Sequence, residues 1–333
     1  MRALAQISGV DAKVISHRLA GDWQAEWKWD GIRGQLVKRQ GEVFLWSRGE
    51  ELVSPQFPEL LVAAAALDDC VLDGEILPYK DGMVMPFTSL QKRLGRKNLG
   101  KKILADTPVI FLAYDVLELS GQDLRDLPLF ERRNKLHQLI YAIPNNTVLQ
   151  LSDIVRAPSW PTLALAREES RQRGTDGLML KRRDSVYGVG RAKGSWWKWK
   201  VAPMTVDAVL VYAQRGHGKR ASLYTDYTFC DLASKRHEKE LVPFAKAYSG
   251  LSNDEISTAD AFIRKNTLEK VGPMRTVKPE LVFELGFEGI QRSNRHKSGV
   301  AVRFPRMLRI RTDKKIEDAD SLDSILQLLE PHA

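Results

Sequence analysis

The sequence predicts an α+β fold divided into two domains. The chain has 333 residues, and at roughly 150 residues per domain this length corresponds to about two domains. Stretches with the composition of β-strands mix with stretches of helical period, without the regular β-α-β succession of a doubly wound sheet. Hydrophobic residues make up 43% and charged residues 28% of the chain, which excludes a disordered or fibrous protein.

The first part of the chain alternates between the two kinds of element. Residues 1–22 are predicted to form a short amphipathic helical segment, because apolar residues recur there at helical spacing. Strands bounded by Gly, Asp and Pro are predicted at 34–39, 42–48, 70–77 and 109–119. Helices are predicted at 58–69, 89–95, 130–143 and 159–174, the last of them ending at Gly174.

A composition shift at 200–203 predicts the domain boundary. It separates a first domain at 23–202 from a second at 203–333. In the second domain, strands are predicted at 205–215, 221–232, 240–250, 280–293 and 300–311, and one helix around 258–270. Five strands and one helix in about 130 residues are typical of an OB-type barrel, a fold often used to bind nucleic acids.

Charge and composition narrow the class of partner. Lys plus Arg total 51 against 42 for Asp plus Glu, a net charge of +9 that favours an anionic partner. Two cysteines cannot build a disulfide framework or a Cys-rich zinc site. The longest apolar run, 60–67, is far shorter than the ~20 residues that cross a bilayer, and no secretory signal follows Met1. We therefore expect a soluble protein of a reducing compartment, with no membrane partner.

The octapeptide from Glu26 to Arg33 is the sharpest local feature. A lysine between two tryptophans is expected to be desolvated, which lowers its pKa and makes Lys28 a usable nucleophile. Asp30 and Gly31 turn the chain, and Arg33 can return a planar cation to a phosphate. Taken alone, the octapeptide favours a plainer interpretation, an edge strand whose lysine lies between aromatic side chains at the surface.

Other charged segments strengthen the first interpretation. Glu75 and Asp176 are carboxylates that can hold a divalent metal. The cations that can surround a triphosphate are Lys28, Arg33, Arg48, Lys181, Lys198 and Lys200. This set suits phosphoryl transfer, in which positioning and charge neutralisation provide most of the catalysis. The sequence has neither the P-loop pattern nor the protein-kinase His-Arg-Asp set, so those two classes are excluded.

Seven short motifs in a fixed order resemble those of covalent nucleotidyltransferases, specifically the bacterial type of ATP-dependent DNA ligase. They stand at 28–33 (KWDGIR), 47–49 (SRG), 73–75 (DGE), 114–115 (YD), 176–181 (DGLMLK), 198–200 (KWK) and 303–314 (RFPR and RTDK). The resemblance implies a nucleotidyltransferase (adenylation) domain followed by an OB-fold domain. It also implies a reaction with ATP that seals nicks in duplex DNA during repair, replication or recombination.

The resemblance also implies a role for each candidate residue. Lys28 would attack the α-phosphate of ATP and carry AMP, Glu26 would contact the adenine amino edge, and Tyr114 would stack on the base. Glu75 would bind the ribose and, with Asp176, hold Mg²⁺ or Mn²⁺. Arg33 and Arg48 would contact the ribose, the AMP or the DNA 5′-phosphate. Phosphate charge would be neutralised by Lys181, Lys198 and Lys200, and the leaving pyrophosphate would be oriented by Arg306, Arg311 and Lys314.

This chain departs from the family pattern in two respects, which affect the expected metal contact and the expected binding of DNA. Relatives carry Glu where this chain has Asp176, so metal contact is expected to be looser or mediated by water. Relatives carry a helical DNA-binding domain before the lysine, and 1–22 resembles only the tail of it. We expect a monomer in the bacterial cytoplasm at the nucleoid, which binds nicked double-stranded DNA. An accessory protein or separate DNA-binding domain, or the basic runs at 91–98 and 293–299, would supply the missing affinity.

Two alternatives remain at this point. An RNA ligase or an mRNA-capping guanylyltransferase shares the lysine chemistry, although the C-terminal motifs favour a DNA ligase. A non-catalytic nucleic-acid-binding relative of the same fold is the other alternative, which the intact Lys28 disfavours.

Overall fold

The chain separates into two compact units, the first ending at Val201 and the second beginning at Ala202. The structure is a computed structural model that describes residues 20–94, 96, 99–144, 146–190, 194–216, 218, 221–235 and 238–329. The predicted helical segment at 1–22 therefore lies almost wholly outside the described residues, as do three positions of the basic run at 91–98.

The first unit mixes short helices with two sheets. Its strands are β1 Trp23–Trp29, β2 Ile32–Arg39, β3 Glu42–Ser47, β4 Cys70–Lys80, β5 Met83–Val84, β6 Val109–Leu119, β7 Gln122–Asp123, β8 Leu149–Leu151, β9 Thr175–Arg182 and β10 Trp196–Lys200. Its helices are α1 Pro58–Ala64, α2 Phe87–Leu94, α3 Lys101–Asp106, α4 Leu129–Tyr141 and α5 Trp160–Glu168.

The two sheets carry different sequence motifs. One sheet has the strand order β3-β2-β4-β6-β7, with β5 paired to β4 and β8 paired in parallel to β6. Its buried face packs on α1, α2 and α4 in a core that contains Leu36, Leu72 and Phe111. The other sheet, β1-β9-β10, carries the segments around Lys28, Asp176 and Lys198 on neighbouring antiparallel strands. Motifs that are far apart in sequence therefore become direct neighbours.

The four helices predicted for the first unit, at 58–69, 89–95, 130–143 and 159–174, are present as α1, α2, α4 and α5 but end earlier, whereas α3 was not predicted. Helix α5 begins after Ser159, whose hydroxyl accepts the Thr162 N–H, and has a proline in its first turn. It ends at Glu168 rather than at Gly174, and a turn follows. Gly174 has φ +67, the left-handed conformation expected of a residue that closes a helical segment.

The second unit is built mainly from strands. They are β11 Met204–Arg215, β12 Tyr224–Lys235, β13 Glu238–Ala247, β14 Thr267–Val271, β15 Met274–Val277, β16 Val282–Phe287, β17 Gly289–Arg292, β18 Val300–Arg303 and β19 Arg306–Ile310. Its helices are α6 Asn253–Lys265 and α7 Leu322–Gln327. Long β11 pairs with β12 on one side and with β16 and then β15 on the other, so the sheet curls around a core that includes Phe229 and Phe283.

Three element predictions in the second unit were wrong in detail. Helix α6 spans 253–265 instead of 258–270 because Ser252 and Glu255 form a capping box, and β14 follows directly. The stretch 280–293 is two strands, because β16 stays in the curled sheet while β17 pairs with β18. The stretch 300–311 is also two strands, interrupted where Phe304 has φ +51 and Pro305 lacks an N–H donor.

The class prediction is confirmed, because both units combine helices with mainly antiparallel sheets. Cys70 and Cys230 are free and buried. Across the described residues, none of the helices combines the length and the hydropathy that crossing a bilayer requires.

Candidate active site

A β-bulge brings Lys28 and Asp176 together. Two residues of β9, Asp176 and Gly177, lie opposite the single residue Lys28 of β1, because the pairing register shifts there. The Lys28 Nζ lies 2.6 Å from the Asp176 Oδ2, and the two side chains are only 16% and 12% exposed. The strongest candidate nucleophile thus has a carboxylate as its direct partner in a mostly buried place.

Gly177 is the residue that permits the bulge. It has φ +134, and a Cβ there would come within 2.3 Å of the Trp199 carbonyl oxygen and 2.7 Å of the Lys200 Cα. A side chain at this position would therefore collide with the backbone of β10.

The environment predicted for Lys28 was wrong in one respect, because the tryptophans on either side do not enclose its amine. Trp27 packs in the core of the β1-β9-β10 sheet, with the Arg173 guanidinium 4.7 Å from its ring, and Trp29 packs against Leu77. Within the described residues, Lys28 has no cation–π contact with either indole. Strand alternation explains the difference, since residues on either side of Lys28 point to the opposite face.

The amine held between aromatic rings is that of Lys181. Its Nζ lies 4.3 Å from the centroid of the Tyr114 ring and 4.5 Å from that of the Trp196 ring. The same Nζ donates to the Glu26 Oε1 at 2.7 Å, and both side chains are 2% exposed. Gln24 Nε2 donates to the same Glu26 oxygen at 2.8 Å. A buried charge pair of this kind is tolerated only when both partners are present.

The charge of Glu26 is maintained by cations around it. Burial by itself would raise the pKa of this carboxyl, but the nearby charges of Lys181 and Arg133 and hydrogen bonds from Lys181 and Ser152 hold it below the ordinary value. The contact with adenine that the resemblance implies for Glu26 stays a prediction, since the structure shows its carboxylate bound to Lys181.

Arg33 is held by the Asp73 carboxylate and the Tyr187 hydroxyl, and the Tyr114 hydroxyl also binds Asp73. Its Nε and Nη2 donate to the Asp73 Oδ1 and Oδ2 at 3.0 and 2.5 Å. The Tyr187 hydroxyl accepts from the Arg33 Nη2 at 2.9 Å and donates to the Asp73 Oδ2 at 2.7 Å. The Tyr114 hydroxyl donates to the Asp73 Oδ1 at 3.2 Å. Hydrogen bonding to Asp73 raises the pKa of Arg33, so its planar cation is permanent and its orientation is set.

Glu75 is a carboxyl with little preference for its charged form. Burial raises its pKa to about 7, and the negative charges of Asp73 and Asp30 act in the same direction. The charge of Lys28 and a hydrogen bond from the Gly31 backbone N–H oppose that rise. The charged form of Glu75 is therefore favoured only when a cation such as the Lys28 ammonium lies near it.

We expect this group to make the first unit less stable as the pH rises. The pKa of Glu75 is about 7 in the folded state, above its ordinary value of 4.5. Its contribution to the free energy of unfolding is therefore fully present below pH 4.5 and is lost as the pH rises through about 7. Glu75→Gln should remove this loss. The free energy of unfolding of the variant minus that of the wild type should be about 2 kcal/mol larger at pH 8 than at pH 5. Urea unfolding followed by tryptophan fluorescence measures it, because all eight tryptophans lie within 23–199.

The exposed Glu42→Gln on β3 is the matched control, and it should leave the pH profile unchanged. If the free energies of unfolding of the wild type and Glu75→Gln changed with pH in the same way, the fold would not raise the pKa of Glu75.

The other candidate cations of the first unit, Arg48, Lys198 and Lys200, lie near Lys28 and Arg33. Burial lowers the pKa of Lys198, and so do the positive charges of Lys28, Arg48, Lys200 and Arg33. The mutual repulsion of these cations indicates a region of positive potential, which favours a polyanion.

The three cations predicted in the second unit have different surroundings. Arg311 Nη1 donates to both oxygens of Asp207, at 3.0 and 2.9 Å, and Lys314 Nζ donates to the Asp207 Oδ2 at 2.6 Å. Arg311 also donates to Asp313 at 2.9 and 2.8 Å. Arg306 is exposed on β19.

The comparison with family models decides the family. The model described as ATP dependent DNA ligase domain matches residues 3–200, and the one described as ATP dependent DNA ligase C terminal region matches residues 226–314. The chain belongs to the ATP-dependent DNA ligase family. The family assignment made from the motifs is confirmed, and so is the fold of an adenylation domain followed by an OB domain.

Curated relatives in the ligase family are similar over most of this chain. A probable DNA ligase of Opitutus terrae is 40% identical over 93% of this chain and 33% of its own length. A probable DNA ligase of Koribacter versatilis is 38% identical over 89% of this chain and 54% of its own. The chain thus spans between a third and just over half of the length of these relatives.

A solved ligase structure shows the same fold. A Lig E DNA ligase, described as binding DNA with a minimal scaffold, superposes with a TM-score of 0.59 at 20% identity, over 89% of this chain and 95% of its own. At this identity the likeness concerns the fold alone.

Few carboxylates near Lys28 are available as ligands if this ligase-family chain holds a metal. Among the described residues, there is no group of three or more His, Cys, Asp or Glu side chains arranged to hold a metal ion. Asp176 and Glu75 each lie beside Lys28. This arrangement fits Mg²⁺, which binds through one or two carboxylates and takes its other ligands from water and substrate phosphates.

Motif matching missed three residues that organise the site. Asp73 stands inside the quoted Asp-Gly-Glu motif, but its role in holding Arg33 depends on the tertiary structure. Tyr187 lies in the loop between β9 and β10, and Asp207 lies on β11. Asp73 and Asp207 each stand within an apolar segment predicted as a strand. An acid buried in such a segment needs a cation as a partner, so the sequence did contain an indication of their role.

Proposed function

We propose that this chain catalyses the complete reaction of an ATP-dependent DNA ligase, with Lys28 as the nucleophile. One observation carries the proposal, namely the mostly buried Lys28 amine held 2.6 Å from the Asp176 carboxylate. Next to that pair lie Glu75 and a cluster of cations. A positioned amine, carboxylates that can hold a metal and positive charge for a triphosphate together suit the adenylation of a lysine.

In the first step the Lys28 amine attacks the α-phosphorus of ATP. A bond from Nζ to phosphorus forms, the bond from that phosphorus to the bridging oxygen of the β-phosphate breaks, and pyrophosphate leaves. The ammonium loses one proton to become the attacking amine and a second, which passes to water, as the bond to phosphorus forms; the nitrogen ends uncharged in a phosphoramidate that keeps the negative charge of the α-phosphate. The Asp176 carboxylate is within hydrogen-bonding distance and is placed to accept a proton.

Several side chains are proposed to hold the nucleotide. Tyr114 presents a ring for the base, Glu75 a carboxyl for the ribose hydroxyls, and Arg33 a fixed guanidinium for phosphate. Lys198, Lys200 and Arg48 supply positive charge to the phosphates. Arg306, Arg311 and Lys314 are proposed for the pyrophosphate.

Mg²⁺ or Mn²⁺ is the proposed metal, held by Asp176 and Glu75. When bound, the metal would supply positive charge near Lys28, which favours the neutral form of its amine. The shorter Asp176, where relatives carry Glu, leaves room for a water molecule in such a contact.

The later steps transfer AMP and close the strand. The nick 5′-phosphate attacks the adenylate phosphorus and releases the Lys28 amine, and the nick 3′-hydroxyl then attacks the 5′-phosphorus and releases AMP. Arg33, fixed by Asp73 and Tyr187, is proposed to orient the 5′-phosphate. The net charge of +9 supports a nucleic acid as the substrate.

Labelling and sealing assays test the proposal. With ATP labelled at the α-phosphate and Mg²⁺, the chain should take up label, lose the reaction in EDTA and regain it with Mg²⁺ or Mn²⁺. The labelled protein should then seal a nicked duplex of DNA. Preferred labelling by GTP would favour a capping enzyme, sealing only of RNA strands would favour an RNA ligase, and no labelling would favour a non-catalytic relative.

The domain limits at 23–202 and 203–333, the monomeric state, an accessory protein or separate DNA-binding domain, and a place at the nucleoid in the cytoplasm stay predictions.

A further inference from the structure

A cleft on the first unit lies between helices α2 and α3, outside the candidate active site. Its volume is about 320 Å³. Its lining includes two half-buried apolar side chains and four exposed charged ones, namely Met85, Ile103, Lys92, Arg96, Lys102 and Asp106. Three cations against one acid give the cleft a net positive charge.

The three cations of the cleft have no protein partner that neutralises them. Among the residues that the structure describes, the side chains of Lys92, Arg96 and Lys102 form neither an ion pair nor a hydrogen bond. In this respect they differ from Arg33, whose guanidinium is held by a carboxylate. Cations around one cleft repel each other, and an anion placed between them removes that repulsion.

A buried arginine holds the two walls of the cleft together. Arg93, next to Lys92 on α2, is 0% exposed, and its guanidinium donates to the Glu59 Oε1 and Oε2 at 2.6 and 2.8 Å. The same guanidinium donates to the carbonyl of Thr107, directly after α3, at 2.9 Å. Helix α2 is thus tied to the end of α3, so the cleft is formed before any ligand binds.

The cleft lies near the end of β4, the strand that carries Glu75. The Met85 N–H donates to the Pro78 carbonyl at 2.7 Å, and Pro78 follows Glu75 by three residues on β4. Three residues of a strand span ~10 Å, which is short compared with one helical turn of DNA, about 34 Å. A duplex whose nick lies at the candidate active site is therefore long enough to reach the cleft.

We infer that this cleft binds the sugar-phosphate backbone of the DNA substrate. The inference rests on the proposed function. The three cations suit phosphate oxygens, whereas Met85 and Ile103 suit the carbon atoms of a deoxyribose, which inorganic phosphate lacks. Contacts of this kind hold a duplex in place without reading its base sequence. The cleft therefore contributes to the affinity for DNA, and the chemistry at Lys28 does not use it.

Lys92→Gln combined with Lys102→Gln tests the inference, because it removes two charges from the cleft. Binding of a nicked duplex is measured by fluorescence anisotropy between about 50 and 200 mM salt, with every protein carrying Lys28→Ala so that it cannot react. The slope of the logarithm of affinity against the logarithm of salt concentration should become about 2 smaller in magnitude. The affinity at about 0.1 M salt should fall by about 10-fold, equally for duplexes of different sequence.

Lys135→Gln combined with Arg156→Gln is the matched control. It removes two charges from the first unit at α4 and between β8 and α5, away from the cleft, and should leave the slope unchanged. Lys92→Arg combined with Lys102→Arg keeps both charges and should bind DNA as the parent protein does. The urea midpoint of unfolding should be the same in all variants, because these side chains hold no part of the fold together.

An unchanged slope in the Lys92 and Lys102 glutamine variant, or an equal change in the control, would overturn the inference. So would an arginine variant that binds DNA as weakly as the glutamine variant, because the charge would then not be the cause. The proposed function fails separately, if the wild type takes up no AMP and seals no nicks, since the binding measurement uses unreactive protein throughout.

Discussion

Lys28→Ala is expected to take up no AMP and to seal no nicks. The variant removes the amine that forms the bond to phosphorus, and loss of a covalent nucleophile costs about 10⁴-fold or more in rate. Labelling by ATP, followed by peptide mass spectrometry, should find the adenylate increment at Lys28 in the wild type alone. Sealing of a pre-adenylated nick should largely survive, because that step does not use the amine as a nucleophile.

Lys28→Arg separates charge from nucleophilicity. Arginine can keep an ion pair with Asp176, but its guanidinium stays protonated and does not attack phosphorus. It should therefore fail in labelling as completely as alanine does. Lys80→Ala, at the exposed end of β4, is the control and should label normally. If Lys28→Ala took up label as fast as the wild type, the assignment of the nucleophile would be wrong.

Gly177→Ala is expected to disrupt both the first unit and its chemistry. The residue has φ +134, and the added methyl would lie 2.3 Å from the Trp199 carbonyl oxygen. Backbone strain and overpacking together should lower the free energy of unfolding by about 4 kcal/mol. Any relief requires β9 and β10 to separate, which moves Asp176 away from Lys28, so labelling should fall as well.

Gly174→Ala is the matched control for this effect. Gly174 also has a left-handed backbone, φ +67, but a Cβ there meets nothing within 4 Å. Its cost should be only about 1 kcal/mol, and labelling should be retained. Urea unfolding followed by tryptophan fluorescence compares the two variants. Equal stabilities would mean that the bulge does not require a glycine.

The sequence alone predicted the features of the protein that depend on local residue order. The motif from Lys28 to Arg33 and the later motifs indicate the family, because their chemistry requires particular residue types at short spacings. The α+β class follows from periodicity. Element ends were less accurate, as at 258–270 and 300–311, because caps and left-handed residues such as Phe304 decide them.

The environment of each candidate residue required the tertiary structure. The sequence placed Lys28 between aromatic rings, but the structure gives that environment to Lys181 and gives Lys28 a carboxylate. Only the structure likewise shows that Arg33 is hydrogen-bonded to Asp73 and Arg311 to Asp207.

The amino-acid sequence alone determined the class of fold, the family and the identity of the candidate nucleophile, because short motifs and hydrophobic periods are local properties. Only the tertiary structure decided which charges meet. The Lys28–Asp176 contact joins residues 148 positions apart, and a one-residue shift of register at Gly177 creates it. Pairing of this kind depends on strand register and burial, which are properties of the whole fold and not of a motif.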